Sequence, residues 1–331
     1  MFVDVKTAAW IDRAEGALCA GLARSKKEVS LVLSIAGGSA VYVAPRSPIN
    51  KVIGLGFDGT IDENELAAVE DAWRQRNEPV RIELCSLTDP QIVQMLCQRG
   101  YVMQGFENQL GRRLGDLKPD DHAAVWITAP SSESELKDWK RILAVAFTSM
   151  DGTGSVVDEV MDLEALEKIM TEMTSAPGFR RYLASLDGRP VGSGSVRFDG
   201  KLAQMCGAGT LPQFRGRGVQ KALLQQRLCD AQSAGCELAV VTTAPGSRSQ
   251  ENMMKRGFAL LYARAILIKS WIGRASTPNQ GRNRRPPIRA LLEHGPAGRR
   301  RFDCRRIRQR LRGPNIADAM MATMMSSRMG T

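Results

Sequence analysis

Histidine is nearly missing from this chain: His122 and His294 are the two among 331 residues. Chemistry built on a histidine base or a histidine-bound metal is therefore poorly supplied. The seven cysteines are an odd number and show no C-x-x-C spacing. That argues against a disulfide framework and against a zinc site, so no metal is expected. No apolar run approaches the ~20 residues that cross a bilayer. The start, Met1-Phe2-Val3-Asp4-Val5-Lys6, lacks a signal-peptide pattern. A soluble, cytoplasmic chain with no membrane partner is the expectation.

Net charge is also missing, from all but one end. The +11 of the whole chain sits in residues 272–331, where 14 arginines stand beside three acids and no lysine. Residues 1–271 hold 32 basic and 32 acidic residues. The body is not a nucleic-acid surface by charge. The tail could neutralise phosphates, but Phe302 is its one aromatic, so it has no stacking platform. Nucleic acid is expected as a partner only through that tail. Its Pro, Gly and Arg content predicts disorder. Its abrupt composition also resembles out-of-frame translation of a GC-rich gene, which sequencing of the locus decides.

The most informative stretch is Leu211-Pro212-Gln213-Phe214-Arg215-Gly216-Arg217-Gly218-Val219-Gln220. It lies between a strand expected over Lys201 to Thr210 and a helix expected over Val219 to Ser233, with Ala222, Leu223, Leu224 and Leu228 as its buried stripe. Two glycines one residue apart let successive backbone N–H groups point the same way. The helix adds its unpaired N–H groups and the positive end of its dipole. Arg215 and Arg217 add fixed charge. Such a loop holds a phosphate or pyrophosphate.

Gln213-Phe214-Arg215-Gly216-Arg217-Gly218 resembles Q/R-x-x-G-x-G/A, the acyl-CoA pyrophosphate loop of the GNAT N-acyltransferase superfamily. Further on, Ser247-Arg248-Ser249-Gln250-Glu251-Asn252-Met253-Met254-Lys255-Arg256-Gly257-Phe258 resembles the helix and "GF" turn that close the GNAT core. The resemblance covers about residues 124–271. It implies a mixed α/β sheet flanked by helices and an acyl-CoA co-substrate, acetyl-CoA in the first instance. It also implies direct attack on the thioester by an amine, of a small molecule or a protein. By match to the motif, N–H groups from Arg215, Gly216, Arg217, Gly218, Val219 and Gln220 grip the pyrophosphate, and Thr210 and Leu211 pair with the pantetheine amides.

The catalytic half of the motif is thinner. Many members carry a tyrosine four residues before the "GF" glycine; here that position is Met253. Lys201 to Thr210 has no glutamate to act as base, and Cys206 reads as a small core residue. Ser249, Asn252 and Tyr262 are the candidates that remain. Alongside the N-acetyltransferase stands a second expectation, an acyl-CoA-binding sensor or scaffold without turnover.

Residues 1–115 read as an α/β half, 116–271 as the GNAT-like domain and 272–331 as the tail. In the first half, strands are expected over Val29 to Ile35, Ala40 to Val43 and Val80 to Leu84. Helices are expected over Ile61 to Arg76, opened by Thr60 and Glu63, and from Asp89-Pro90 to Arg99. The run from Arg81 through Arg99-Gly100-Tyr101 echoes the run from Cys236 through Arg256-Gly257-Phe258. The echo fits two tandem GNAT-like halves, the first degenerate, or a chance likeness of short units. Gly54-Leu55-Gly56-Phe57-Asp58-Gly59 matches G-x-G-x-x-G. The carboxylates of Asp58, Asp62, Glu63 and Glu65 beside it would repel a pyrophosphate. In the second half, Trp126 to Thr128, Phe179 to Leu186 and Arg189 to Phe198 read as strands, the last two joined by Asp187-Gly188. Cys236 to Thr243 and Ala263 to Lys269 read as the closing strands. Ser134 to Phe147 and Asp162 to Met173 read as helices, with a loop over 150–155.

Overall fold

In the computed structural model, which describes residues 3–26, 29–115, 117, 124–148, 170–174 and 176–271, eleven strands form one mixed sheet. The first half supplies helix α1 (Val5–Ser25), strands β1 (Leu31–Ile35), β2 (Gly38–Tyr42) and β3 (Lys51–Ile53), helix α2 (Glu63–Gln75), β4 (Val80–Cys85), α3 (Pro90–Gln98) and β5 (Val102–Arg113). The second supplies β6 (Trp126–Thr128), α4 (Glu133–Thr148), β7 (Phe179–Leu186), β8 (Arg189–Asp199), β9 (Leu202–Thr210), α5 (Val219–Ser233), β10 (Leu238–Thr243), α6 (Arg248–Lys255) and β11 (Ala259–Lys269). The expected loop at 150–155, most of the helix expected over 162–173, both histidines and the tail lie outside the described residues.

Local chemistry sets most of these boundaries. Asp187 and Gly188 both take positive φ, 51° and 72°, and close the β7–β8 hairpin. Asp89 caps α3 by accepting from the Gln91 N–H. The helix expected from Ile61 begins later, at Glu63. Its cap is Asp62, which accepts from the Asn64 N–H, and not Thr60. Helix α1 and strand β3 have no counterpart among the sequence expectations.

The echo between the halves is structural. Helices α3 and α6 end in the same way, with Gly100 and Gly257 at φ 87° and 83°. In both, the N–H three residues past the helix reaches back five positions, Tyr101 to Leu96 and Phe258 to Met253. Strand, glycine-ended helix and strand then repeat. The second strands, however, change places. Strand β4 pairs with β11, and β10 pairs with β5, both antiparallel; β5 and β11 pair with each other at the centre. Each half therefore ends in a strand that completes the other half's sheet.

Alternate residues show which helices cover which face. On β7, Leu183 joins the core under α1 and α4, while Tyr182 and Ala184 join the core under α5. On β4, Leu84 packs with α2 and α3 and Cys85 with α1. So α1 and α4 cover one face, and α2, α3, α5 and α6 the other.

Under α1 lies a buried ionic cluster spanning both halves. Arg264 of β11 reaches Asp12 at 2.6 Å and Glu15 at 2.8 Å on α1. Lys51 of β3 joins Glu15 at 2.6 Å and Glu83 of β4 at 3.1 Å. Arg81 lies 3.0 Å from both Glu83 and Glu107. Four carboxyls face three cations, so one proton is needed for neutrality. Glu107 is placed to hold it: burial, then the neighbouring Glu83, push its carboxyl up to about 7. Against the cost of burial, Arg264 and Lys51 hold Glu15 down at about 2.

A folded state that keeps Glu107 protonated loses stability as pH rises from the ordinary carboxyl range of ~4.3 toward 7, because the unfolded chain has already released that proton. Glu107→Gln mimics the protonated form. Its melting temperature should gain on wild type steadily between about pH 5 and 7; a pH-independent difference would contradict the assignment.

Candidate functional site

Strands β9 and β10 run parallel but pair only briefly, Leu202 to Gln204 against Leu238 to Val240. Beyond that point β9 stays paired with β8 as far as Thr210, and β10 stays paired with β5 as far as Thr243. Their inner edges part, so backbone groups of both face a gap that no strand fills. Partings at the carboxyl ends of parallel strands are where open α/β sheets bind ligands.

Polar side chains collect at this end of the sheet without protein partners. Thr210 Oγ1, both polar atoms of the Gln220 amide, Thr243 Oγ1 and Ser249 Oγ are buried and make no hydrogen bond. Each leaves a cost of about 1–3 kcal/mol that a ligand or water can remove. They sit at the ends of β9 and β10 and in the first turns of α5 and α6. Beside them opens a cleft of about 270 Å³ lined by Thr210, Gly216, Gly218, Gln220 and Asn252, together with Arg215, Lys221, Lys255 and Arg256. Among the described residues, four cations and no carboxylate line it.

The loop has the geometry of an anion cradle. After the Pro212–Phe214 turn, Gly216 and Gly218 take φ 77° and 79°, the left-handed region that disfavours side chains. Gly218 is the N-cap of α5 and offers no side chain to the first turn, so the Val219 and Gln220 N–H groups meet whatever occupies the cleft. Arg217 stands at the rim, 50% exposed, within 3.7 Å of Asp187. Leu211 turns inward: its N–H donates to Val191, its carbonyl accepts from Phe214, and its side chain is buried.

The first half has the same parting after β3, whose parallel pairing with β4 covers Val52 and Ile53. There the protein fills its own space. Gly56 lies against Ile92, whose Cδ1 occupies the place a Cβ would take, and Asp58 pairs with Arg13. Asp62 already caps α2, and Glu65 accepts from the Ala36 N–H. This G-x-G-x-x-G is a turn whose Gly56 N–H already donates to the Ala36 carbonyl and whose Asp58 charge is already paired.

The candidate side chains separate. Ser249 and Asn252 share the buried face of α6, and Asn252 lines the cleft. Met253 points into the core beneath α5. Tyr262 lies on the opposite face, inside the ionic cluster, where its hydroxyl donates to Asp12. Burial and that carboxylate push its phenol far above the ordinary value. Burial likewise pushes the Cys206 thiol up to about 12, which leaves it a core residue. Among the described residues no group of side chains could hold a metal ion, and no helix is long and apolar enough to cross a membrane. Sequence reasoning missed Thr243 and Arg227. The signal for Arg227 was its place one turn after Leu223, on the apolar stripe of α5.

Residues 137–258 match the model of the acetyltransferase (GNAT) family. No curated protein matches the chain. Among solved structures, a GCN5-related N-acetyltransferase from Kribbella flavida is similar over 81% of this chain and 97% of its own, at 18% identity and a TM-score of 0.57. A GCN5-related N-acetyltransferase from Sphaerobacter thermophilus matches 62% of this chain and 66% of its own, at 14% identity and a TM-score of 0.48. A tandem GNAT protein from the clavulanic acid biosynthesis pathway matches 70% and 73%, at 14% identity and a TM-score of 0.46. The fold is that of the GNAT N-acetyltransferases.

Tyr262→Phe removes a buried hydrogen bond and should lower unfolding free energy by about 1–3 kcal/mol in urea. Ligand binding at the β9–β10 gap, on the other face, should not change. A variant that loses ligand affinity at unchanged stability would return Tyr262 to the site.

Proposed function

We propose that the GNAT acetyltransferase domain at residues 137–258 binds acyl-CoA in the β9–β10 gap and transfers its acyl group, acetyl in the first instance, to an amine. The observation that carries this is the gap itself: parted parallel strands, lined by orphaned polar side chains and closed by a cationic glycine loop at a helix N-terminus. The residues present fit the ligand. The N–H groups of the loop and of Val219 and Gln220, with Arg215 and Lys221, suit the pyrophosphate. The inner edge of β9 suits the pantetheine amides as a neighbouring strand would. Thr210, Thr243 and Ser249 offer hydroxyls to the same arm. Acyl-CoA brings an activated thioester; the protein's part is to align it and exclude water.

In the transfer, the nitrogen lone pair forms the new N–C bond and the C–S pair leaves on sulfur. The nitrogen's proton passes to that sulfur. With Met253 in the core and no carboxylate on the cleft among the described residues, the acceptor enters as the neutral amine. Its own pKa then sets the pH profile, and rate rises with pH up to that value. The acceptor is a small molecule or a protein amine.

The same missing groups favour a second reading, acyl-CoA binding without turnover. Calorimetric titration of acetyl-CoA into the full chain, beside a Gly216→Glu/Gly218→Glu variant, tests the first step. Binding should weaken by at least roughly tenfold in the variant. Thiol release with a broad amine panel then separates enzyme from sensor. A folded parent chain that binds no acetyl-CoA would defeat both readings.

A further inference from the structure

Among the described residues, Arg227 is a buried cation with no carboxylate beside it. It is 2% exposed, and its guanidinium donates to backbone carbonyls: Nε to Leu223 at 3.0 Å, and Nη1 to Ser195 and Cys206 at 3.1 and 3.2 Å. Asp230, one turn further along α5, is held instead by Arg180, Tyr182 and Gln226. Burying an unpaired charge is expensive, and here it holds the guanidinium down at about 10. Packing does not require it, since the rest of the stripe is Leu223, Leu224 and Leu228.

The two strand carbonyls it grips mark an irregularity in the sheet. Between β8 and β9 the register slips from Gly194 opposite Ala208 to Ser195 opposite Cys206, leaving Gly207 as an extra residue on β9. A bulge re-aims backbone groups and leaves carbonyls that need donors. Arg227 satisfies them from one side of the sheet, and Trp139 Nε1 donates to Gly194 at 3.0 Å. The guanidinium packs directly over Gly194, where a Cβ would sit in van der Waals contact with it at 3.5 Å and more tightly against the Ala208 Cβ at 3.2 Å. The bulge stands where β9 has left β10, on the edge that faces the gap.

We infer that Arg227 is a positioning residue for the acyl group: it fixes the β9 bulge so that its backbone amides meet the thioester carbonyl, and it places an uncompensated positive charge behind them. This rests on the reading of the gap as an acyl-CoA site. A planar fork suits two carbonyls on neighbouring strands, where an ammonium does not. Charge fixed in a dry site acts on the oxygen that gains electrons during attack, without reorganising.

The test uses the full chain, Arg227→Met, which keeps bulk and removes the charge, and Arg227→Lys, which keeps the charge. Acetyl-CoA labelled with carbon-13 at its carbonyl is bound and the carbonyl stretch is read by infrared difference spectroscopy. Affinities for acetyl-CoA and for free CoA are measured alongside. In wild type the stretch should move below its solution frequency. In Arg227→Met it should return to the solution value, and the preference for acetyl-CoA over CoA should fall by on the order of tenfold, with CoA affinity unchanged. Arg227→Lys should recover part of the shift. A methionine variant that keeps the shift, or loses both ligands equally, overturns the inference. If that variant does not fold, an unshifted band in wild type overturns it alone. If wild type binds neither ligand, the reading of the gap fails instead.

Discussion

The pairing of β5 with β11 holds this molecule together. These are the terminal strands of the two halves, and each completes the sheet of the other, β5 against β10 and β11 against β4. Removing either half would leave the remaining sheet with an unpaired inner edge and a donated strand with nothing to join. The ionic cluster reinforces the exchange from above, since Arg264 arrives on β11 from the second half and meets Asp12 and Glu15 of the first half's α1. Such a buried network is weak evidence for stability, but breaking it by removing one partner is costly. The family match ends at residue 258, just before β11. The strand that completes the matched domain's own sheet is therefore β5 (Val102–Arg113), which lies before the matched residues 137–258.

One architecture, used twice, has been finished in two ways. Both halves part a pair of parallel strands and follow the parting with a glycine turn and a helix. In the first, side chains close the space and carboxylates occupy the helix start. In the second, the glycine cap leaves the helix start open, cations replace carboxylates, and hydroxyls are buried without partners. The difference lies in which groups remain unsatisfied, and those are the ones that a ligand can satisfy.

Much of the second half was legible. The Asp187-Gly188 turn, the Val219 to Ser233 helix and the loop glycines follow local rules, and each is where those rules put it. Helix α1 escaped notice because its buried face carries Asp12 and Glu15, which interrupt the apolar period. The strand exchange could not be read at all, since β4 could pair with β5 or β11 by the same alternation. Tyr262 was considered for the site because it follows the "GF" turn; the exchange carries it away, into a cluster built largely by the first half. Arg227 drew no reading from the sequence, because its three carbonyl acceptors lie on its own helix and on two strands that only the fold brings beneath it.

The second parting is proposed to bind ligand and the first is not. Hydrogen–deuterium exchange on the full chain, with and without saturating acetyl-CoA, tests it most directly. New protection is expected at amides 205–210 and 215–220, the inner edge of β9 and its loop, and none at 54–59. Protection at 54–59, or no change anywhere, would contradict it.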